Sequence, residues 1–135
     1  EYRADKDVKV GAEETIKDDL YTFGETITID GILEGDLIAF AKAIIINGGT
    51  GISKRDSTFE AVDTMLEKHL VGFGEIFRYL TYQDIGSPAI MSRATAGIIK
   101  GRVLFSTPGS ENAVRLAMEK LILPELGHLV KELSK

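Results

Sequence analysis

Four successive apolar residues that run into a glycine cluster constrain this chain more than any other feature. Ala43, Ile44, Ile45 and Ile46 form the β-branched run of a strand buried on both faces. Asn47 and Gly48 follow, then Gly49, Thr50 and Gly51, and then Ile52, Ser53, Lys54, Arg55 and Asp56. Glycines in such a turn can take φ > 0 and bring backbone N–H groups close to a ligand. A helical pattern begins near Ser57 or Thr58, so the loop feeds a helix N-terminus, where partial positive charge favours anions. Strand, glycine loop and helix start make an anion cradle, although on the glycine pattern alone a plain tight turn serves equally well.

The 135 residues hold one domain, or one domain with a small appendage. A net charge of −5 argues against nucleic acid as a main partner, because phosphate backbones call for a basic face. No apolar run approaches the roughly 20 residues of a membrane helix, and nothing resembles a signal peptide. The absence of cysteine rules out disulfides, thiol nucleophiles and thiolate metal sites. His69 and His128 read as surface residues near helix ends, and no Ser/His/Asp triad is apparent. The expected setting is cytoplasmic, without membrane or nucleic-acid partners.

Upstream of the glycine cluster the sequence repeats. Residues 19–31 are echoed by residues 36–48, through the identical pairs Asp19/Asp36, Leu20/Leu37, Phe23/Phe40, Ile27/Ile44, Ile29/Ile46 and Gly31/Gly48. Apolar residues two apart give the strand period, and Asp30-Gly31 and Asn47-Gly48 are turn dipeptides. This pattern predicts two rungs of a β-solenoid; a hairpin or meander with chance similarity is the alternative. Residues 17–48 resemble the bactofilins and related polymer-forming β-helix proteins, which implies a right-handed β-helix used in self-assembly. Residues 1–19 read as a frayed lead-in with one short strand at Val8 and Val10.

Downstream, Phe59, Val62, Met65, Leu66 and Leu70 predict a helix from Ser57, capped by a Ser57/Glu60 capping box. Gly72 and Gly74 are expected to break it, with a short helix following over residues 75–80. A turn at residues 83–86 leads to Ser87-Pro88, and residues 89–98 read as a small-residue helix. Arg102 to Ser106 predicts a second buried strand, ending in Thr107, Pro108, Gly109 and Ser110, with Ser110 capping another helix. Pro124 restarts the chain into a last amphipathic segment.

The design of buried strand, loop and helix start therefore occurs twice. If the two strands are parallel neighbours, both loops open into one crevice at their carboxyl ends, which suits a phosphorylated or otherwise anionic ligand. Thr50, Ser53 and Ser110 offer hydroxyl donors there, and Lys54 or Arg55 a positive charge. Asp56 admits two readings, as a metal-binding or acid–base carboxylate or as a helix cap.

Residues 48–130 resemble the MoaB/MogA family of molybdenum-cofactor biosynthesis, related to the gephyrin and Cnx G domains. The likeness rests on residues 48–61 (GGTGISKRDSTFEA), 72–78 (GFGEIFR), 92–97 (SRATAG) and 108–129 (PGSENAVRLAMEKLILPELGHL). It implies binding of molybdopterin and, in active members, its adenylylation from Mg-ATP. By this resemblance Gly48, Gly49, Thr50 and Gly51 match the ligand-binding loop, Asp56 the essential aspartate, and Pro108, Gly109 and Ser110 the second binding loop. The family precedes its glycine loop with a β-α-β-α-β half bearing a serine phosphate loop. Here the repeats stand in that place, and Asn47 replaces the usual threonine.

The expected fold is therefore α/β: a truncated MoaB/MogA-like three-layer domain at residues 48–135 with parallel strands, preceded at residues 1–47 by β-solenoid-like repeats that join or extend its sheet. Residues 43–46 should share a sheet with residues 103–105, and Thr26 and Thr28 should face solvent. Two functions follow from this reading. One is a molybdopterin-binding domain of adenylyltransferase type, homo-oligomeric and preferably trimeric, with activity in question for want of the first phosphate loop. The other is a non-enzymatic recombined or designed chimera whose repeats drive folding and self-assembly.

Overall fold

The chain begins with three short strands, β1 (Tyr2–Ala4), β2 (Asp7–Val10) and β3 (Thr15–Ile16). The computed structural model describes residues 1–17, 20–24, 26–30, 32–33 and 37–135, and their side chains except those of residues 2, 20–23, 32–33 and 37–40. Next come β4 (Leu20–Phe23), β5 (Thr26–Ile29), β6 (Ile32–Leu33), β7 (Leu37–Phe40) and β8 (Ala43–Asn47). β4 lies parallel between β1 and β7, β5 parallel between β2 and β8, and β6 parallel to β3. The echo in the sequence is thus a register: Leu20 stands opposite Leu37, Phe23 opposite Phe40, Ile27 opposite Ile44 and Ile29 opposite Ile46. Asp19, Gly31 and Asp36 lie outside the described residues, as do the side chains of the Leu20/Leu37 and Phe23/Phe40 pairs.

The frayed lead-in is corrected to a further tier of strands. Val8 and Val10 stand opposite Ile27 and Ile29, 19 residues on, whereas Thr15 stands opposite Ile32, 17 residues on. The first tier carries two extra residues in the turn at residues 11–14, where the Glu14 N–H donates to the Gly11 carbonyl at 2.9 Å. A search at a fixed spacing of 17 passes over it. Arg3 pins this tier by donating to the Lys9 carbonyl at 2.7 Å and pairing with Glu14.

The far edge of β8 joins the rest of the molecule. β8 pairs in parallel with β11 (Arg102–Thr107), which places Ile44 opposite Leu104 and Ile45 opposite Phe105, as expected. β10 (Thr95–Ile99) and β9 (Lys68–His69) complete a six-stranded sheet in the order β2-β5-β8-β11-β10-β9, the last two antiparallel. One face is covered by α1 (Thr58–Met65), whose Val62 shares a core with Val10, Ile27, Ile44 and Leu104. Against the other lie α2 (Val71–Ile85), α3 (Glu111–Ala117) and α4 (Leu123–Leu133), with Phe77, Ala117 and Ile122 packed on Ile45, Val103 and Phe105. Thr26 and Thr28 are half-buried on this second face, with Thr26 in a groove beside Leu126 and Val130 of α4, so the expectation that they face open solvent is corrected.

Three helix expectations also change. α1 ends at Met65 because Leu66 turns extended (φ −73°, ψ 125°) into the core, and the chain then takes the edge of β10. Glu67 N–H donates to the Ile98 carbonyl and Leu70 N–H to the Ala96 carbonyl, each at 2.8 Å. Gly72 and Gly74 lie in the first turn of α2 instead of breaking a helix. The buried Phe73 and Phe77 hold that turn to the sheet, with the Phe73 ring 5.1 Å from Phe105. Residues 89–98 are a short 3₁₀ turn (Ser87–Met91) and then β10, not a helix. Lys100 (φ 47°) and Gly101 (φ 72°) form the two-residue hairpin turn that makes β10 a strand.

Ser110 caps α3 as expected, its hydroxyl accepting from the Ala113 N–H. Between α3 and α4 the helix widens to a π-turn (Met118–Ile122). That wide turn accommodates Pro124, whose ring would collide with the preceding turn of a regular α-helix. Among the described residues no helix is long and apolar enough to cross a membrane.

Candidate functional site

Because β8 and β11 are parallel neighbours, the loops that follow them leave the same edge of the sheet. Gly48 (φ 104°) and Gly49 (φ 66°) turn the first loop in the left-handed region that favours glycine. The Gly48 N–H donates to the Thr107 carbonyl at 2.8 Å, tying the two loops together. A Cβ on Gly109 would stand 3.3 Å from the Gly48 Cα, so the glycines let the loops touch. Thr50, Gly51, Pro108 and Ser110 then share a cavity of about 240 Å³, walled by Phe77 and Met91. Two loops around one crevice is the arrangement the sequence led us to expect.

The donors in this crevice are mainly backbone. The Thr58 N–H returns to the Gly49 carbonyl at 3.0 Å and starts α1. Among the described residues the N–H groups of Gly49, Thr50 and Gly51 have no acceptor. Thr50 is buried, and a buried donor without an acceptor is costly unless a ligand supplies one.

The polar side chains expected at the site divide between two places. Ser53 does not line the cavity; its N–H (3.1 Å) and hydroxyl (2.5 Å) both donate to Oδ2 of Asp56. Asp56 is not the helix cap, since Ser57 takes that position without a side-chain bond. Its carboxylate packs against Gly51, where a Cβ would stand 2.8 Å from Oδ2. The Ser53 hydroxyl, with its N–H and the charges of Arg55 and Arg93, holds the Asp56 carboxyl below the usual carboxylate range. Stability from this contact is present above the ordinary aspartate range and is lost as pH falls through the lowered value. Lys54 and Arg55 are exposed. His69 pairs with Asp63 at 3.0 Å and His128 with Glu125, both at the surface.

The expected capping box is also corrected, because the Glu60 carboxylate is engaged by Arg93 instead. Arg93 is the residue sequence reasoning missed. It donates to the carbonyls of Thr50 (3.1 Å), Gly51 (2.5 Å) and Asp56 (3.3 Å), and its guanidinium lies 4.9 Å from the Phe59 ring centroid. Only its place within the SRATAG motif marked it. Asn47 has a second bridging role: Oδ1 accepts from the Thr107 hydroxyl at 2.5 Å, and Nδ2 donates to Asp30. Asp30, at the end of β5, thereby ties the first strands to the second loop.

A family model described as "Probable molybdopterin binding domain" matches residues 2–128, a span that takes in the early strands as well as the stretch from Gly48. The "Molybdenum cofactor biosynthesis protein B" of Bacillus subtilis is 50% identical over 127 residues, covering 93% of this chain and 72% of that protein. The protein of the same description from Halalkalibacterium halodurans is 57% identical over 94 residues, covering 69% of this chain and 55% of its own. Among solved structures, a "Molybdenum cofactor biosynthesis protein B" superposes with a TM-score of 0.68 at 46% identity, covering 78% of each chain. The "tungsten cofactor synthesizing protein MoaB" from Pyrococcus furiosus gives 0.65 at 32% identity, again over 78% of each chain.

Proposed function

The chain belongs to this family as a molybdopterin-binding domain of molybdenum-cofactor biosynthesis, and from that premise we propose that its two touching loops hold the ligand. Gly48, Gly49, Thr50, Gly51, Pro108, Gly109 and Ser110 form the binding face, and the anionic end of the pterin takes the loop donors. The carrying observation is the set of Gly49, Thr50 and Gly51 N–H groups without an acceptor among the described residues, beside the N-termini of α1 and α3. Mg-ATP is the proposed second substrate, with adenylylation of molybdopterin as the reaction to be assayed. Among the described residues no three His, Asp or Glu side chains stand together as a metal site. Magnesium would arrive with the nucleotide phosphates, and Asp56 offers one of the one or two carboxylates such an ion takes from protein. Ser53 serves by fixing that carboxylate.

Titration of the chain with molybdopterin and with Mg-ATP, beside the Bacillus subtilis relative, tests this reading. Asp56→Asn should weaken Mg-ATP binding about tenfold or more, as expected for loss of a charged ligand, a larger effect than the modest fall in melting temperature from its weakened contact with Ser53. Equal binding by variant and parent would leave Asp56 with a loop-bracing role only.

We read residues 1–47 as short β-solenoid-like tiers and residues 48–135 as the ligand-binding part, the two sharing one sheet within a single family member. A homo-oligomer, trimeric in preference, is also proposed. It is supported by the apolar face that α2 and the 3₁₀ turn leave open, with Tyr79 60%, Tyr82 58% and Ile90 82% exposed. Light scattering at micromolar concentration should give a mass well above 14.7 kDa, and a monomer there would overturn it.

A further inference from the structure

We propose that Arg93 is a positioning residue for the glycine loop, occupying the loop's own carbonyl acceptors so that its N–H donors are left for an anionic ligand. The inference deepens the reading of the loop as the anion site and rests on it. A glycine-rich loop with unpaired donors gains free energy by folding onto itself, each N–H taking a nearby carbonyl. In this chain the nearby carbonyls are taken. Arg93 Nε and Nη2 hold those of Thr50 and Gly51, and Nη2 also reaches that of Asp56. The same guanidinium pairs with Glu60 on α1 and lies over the Phe59 ring, so the loop is fastened to the helix it feeds. The planar fork of an arginine meets several acceptors at once from one rigid group, which a lysine ammonium on a flexible stem does not. Arg93 comes from the segment between the 3₁₀ turn and β10, so it braces the loop from outside the crevice. It acts on the ligand only through the loop.

The test uses the full chain with Arg93→Lys, Arg93→Ala and, as a control, Glu60→Gln, which weakens the anchor on α1 but leaves the carbonyl bonds in place. Hydrogen exchange of the amides over residues 49–57 and the dissociation constants for molybdopterin and Mg-ATP are measured together. Loss of charged hydrogen bonds to the loop should raise loop exchange and the dissociation constants by about tenfold or more in both Arg93 variants. Glu60→Gln should do so by much less. Guanidinium ion at millimolar concentration should restore binding to Arg93→Ala but not to Arg93→Lys, whose side chain still fills the site. A lowered melting temperature with unchanged exchange, unchanged binding and no rescue would make Arg93 merely structural and overturn the proposal. If Arg93→Ala fails to fold, Arg93→Lys gives the same two readings. Should the parent bind neither ligand, the binding reading fails, while loop exchange still decides whether Arg93 orders the loop.

Discussion

Gly49→Ala is expected to destabilise the chain by about 2–5 kcal/mol, combining the left-handed backbone cost of an L-residue with the overpacking of a closed site. The two contributions are separable. At Gly49 (φ 66°) an added Cβ would stand 2.0 Å from the Thr58 hydroxyl and 2.8 Å from the Thr58 Cβ. Thr58 opens α1, and its N–H already bonds the Gly49 carbonyl, so it has little freedom to retreat. At Gly48 (φ 104°) an added Cβ meets nothing within 4 Å. Gly48→Ala should therefore show the backbone cost alone, about 1–2 kcal/mol. Urea denaturation of both variants measures the difference. Molybdopterin titration should show Gly49→Ala losing binding, because the start of α1 and the Thr50 N–H move with the loop. Equal destabilisation by the two variants would mean that the contact with Thr58 is not what makes Gly49 a glycine.

What the sequence made legible is what local chemistry determines. Four apolar residues in a row at residues 43–46 required a strand covered on both faces, and β8 has α1 on one side and α2, α3 and α4 on the other. Ser110 was legible as a cap because the bond it accepts comes from three residues on, within its own turn. Two glycine loops on parallel strands were legible as one crevice for a similar reason, since the strands set where the loops start. The errors fall where a distant partner decides the outcome. Residues 95–99 are small and β-branched in a mixture that suits helix or strand, and pairing with β11 on one side and β9 on the other decides for strand. β9 itself is two polar residues, Lys68 and His69, with no pattern to find. Arg93 reaches carbonyls some 40 residues earlier in the chain, and no periodicity encodes such a contact. The first tier was hidden by the two-residue insertion at residues 11–14, which shifts its register without altering its strands.

Ile45→Thr and Ile27→Thr should each lower stability by about 2–4 kcal/mol, and both should move the same unfolding transition. The magnitude joins two costs, the lost hydrocarbon of a fully packed isoleucine and an unpaired hydroxyl taken out of water. Both positions meet the condition, with Ile45 1% and Ile27 0% exposed. They test opposite faces of the shared sheet. Ile45, in β8, packs beneath α2 with Phe77, Val103 and Phe105 of the ligand-binding part. Ile27 belongs to β5, upstream of the glycine loop, yet its core also contains Val62 of α1 and Leu104 of β11. A hydroxyl at residue 27 therefore disturbs packing shared by the early strands and the α1 face of the sheet, and unfolding should stay a single step. The measurement is urea denaturation followed by far-ultraviolet circular dichroism, with hydrogen exchange of β5 and β11 as separate local probes. Coincident shifts with an unchanged slope would fit one cooperative unit. If Ile27→Thr instead released the amides of β2 and β5 while β11 kept its protection, residues 1–47 would be an independent module. The shared sheet would then be a contact between two folding units.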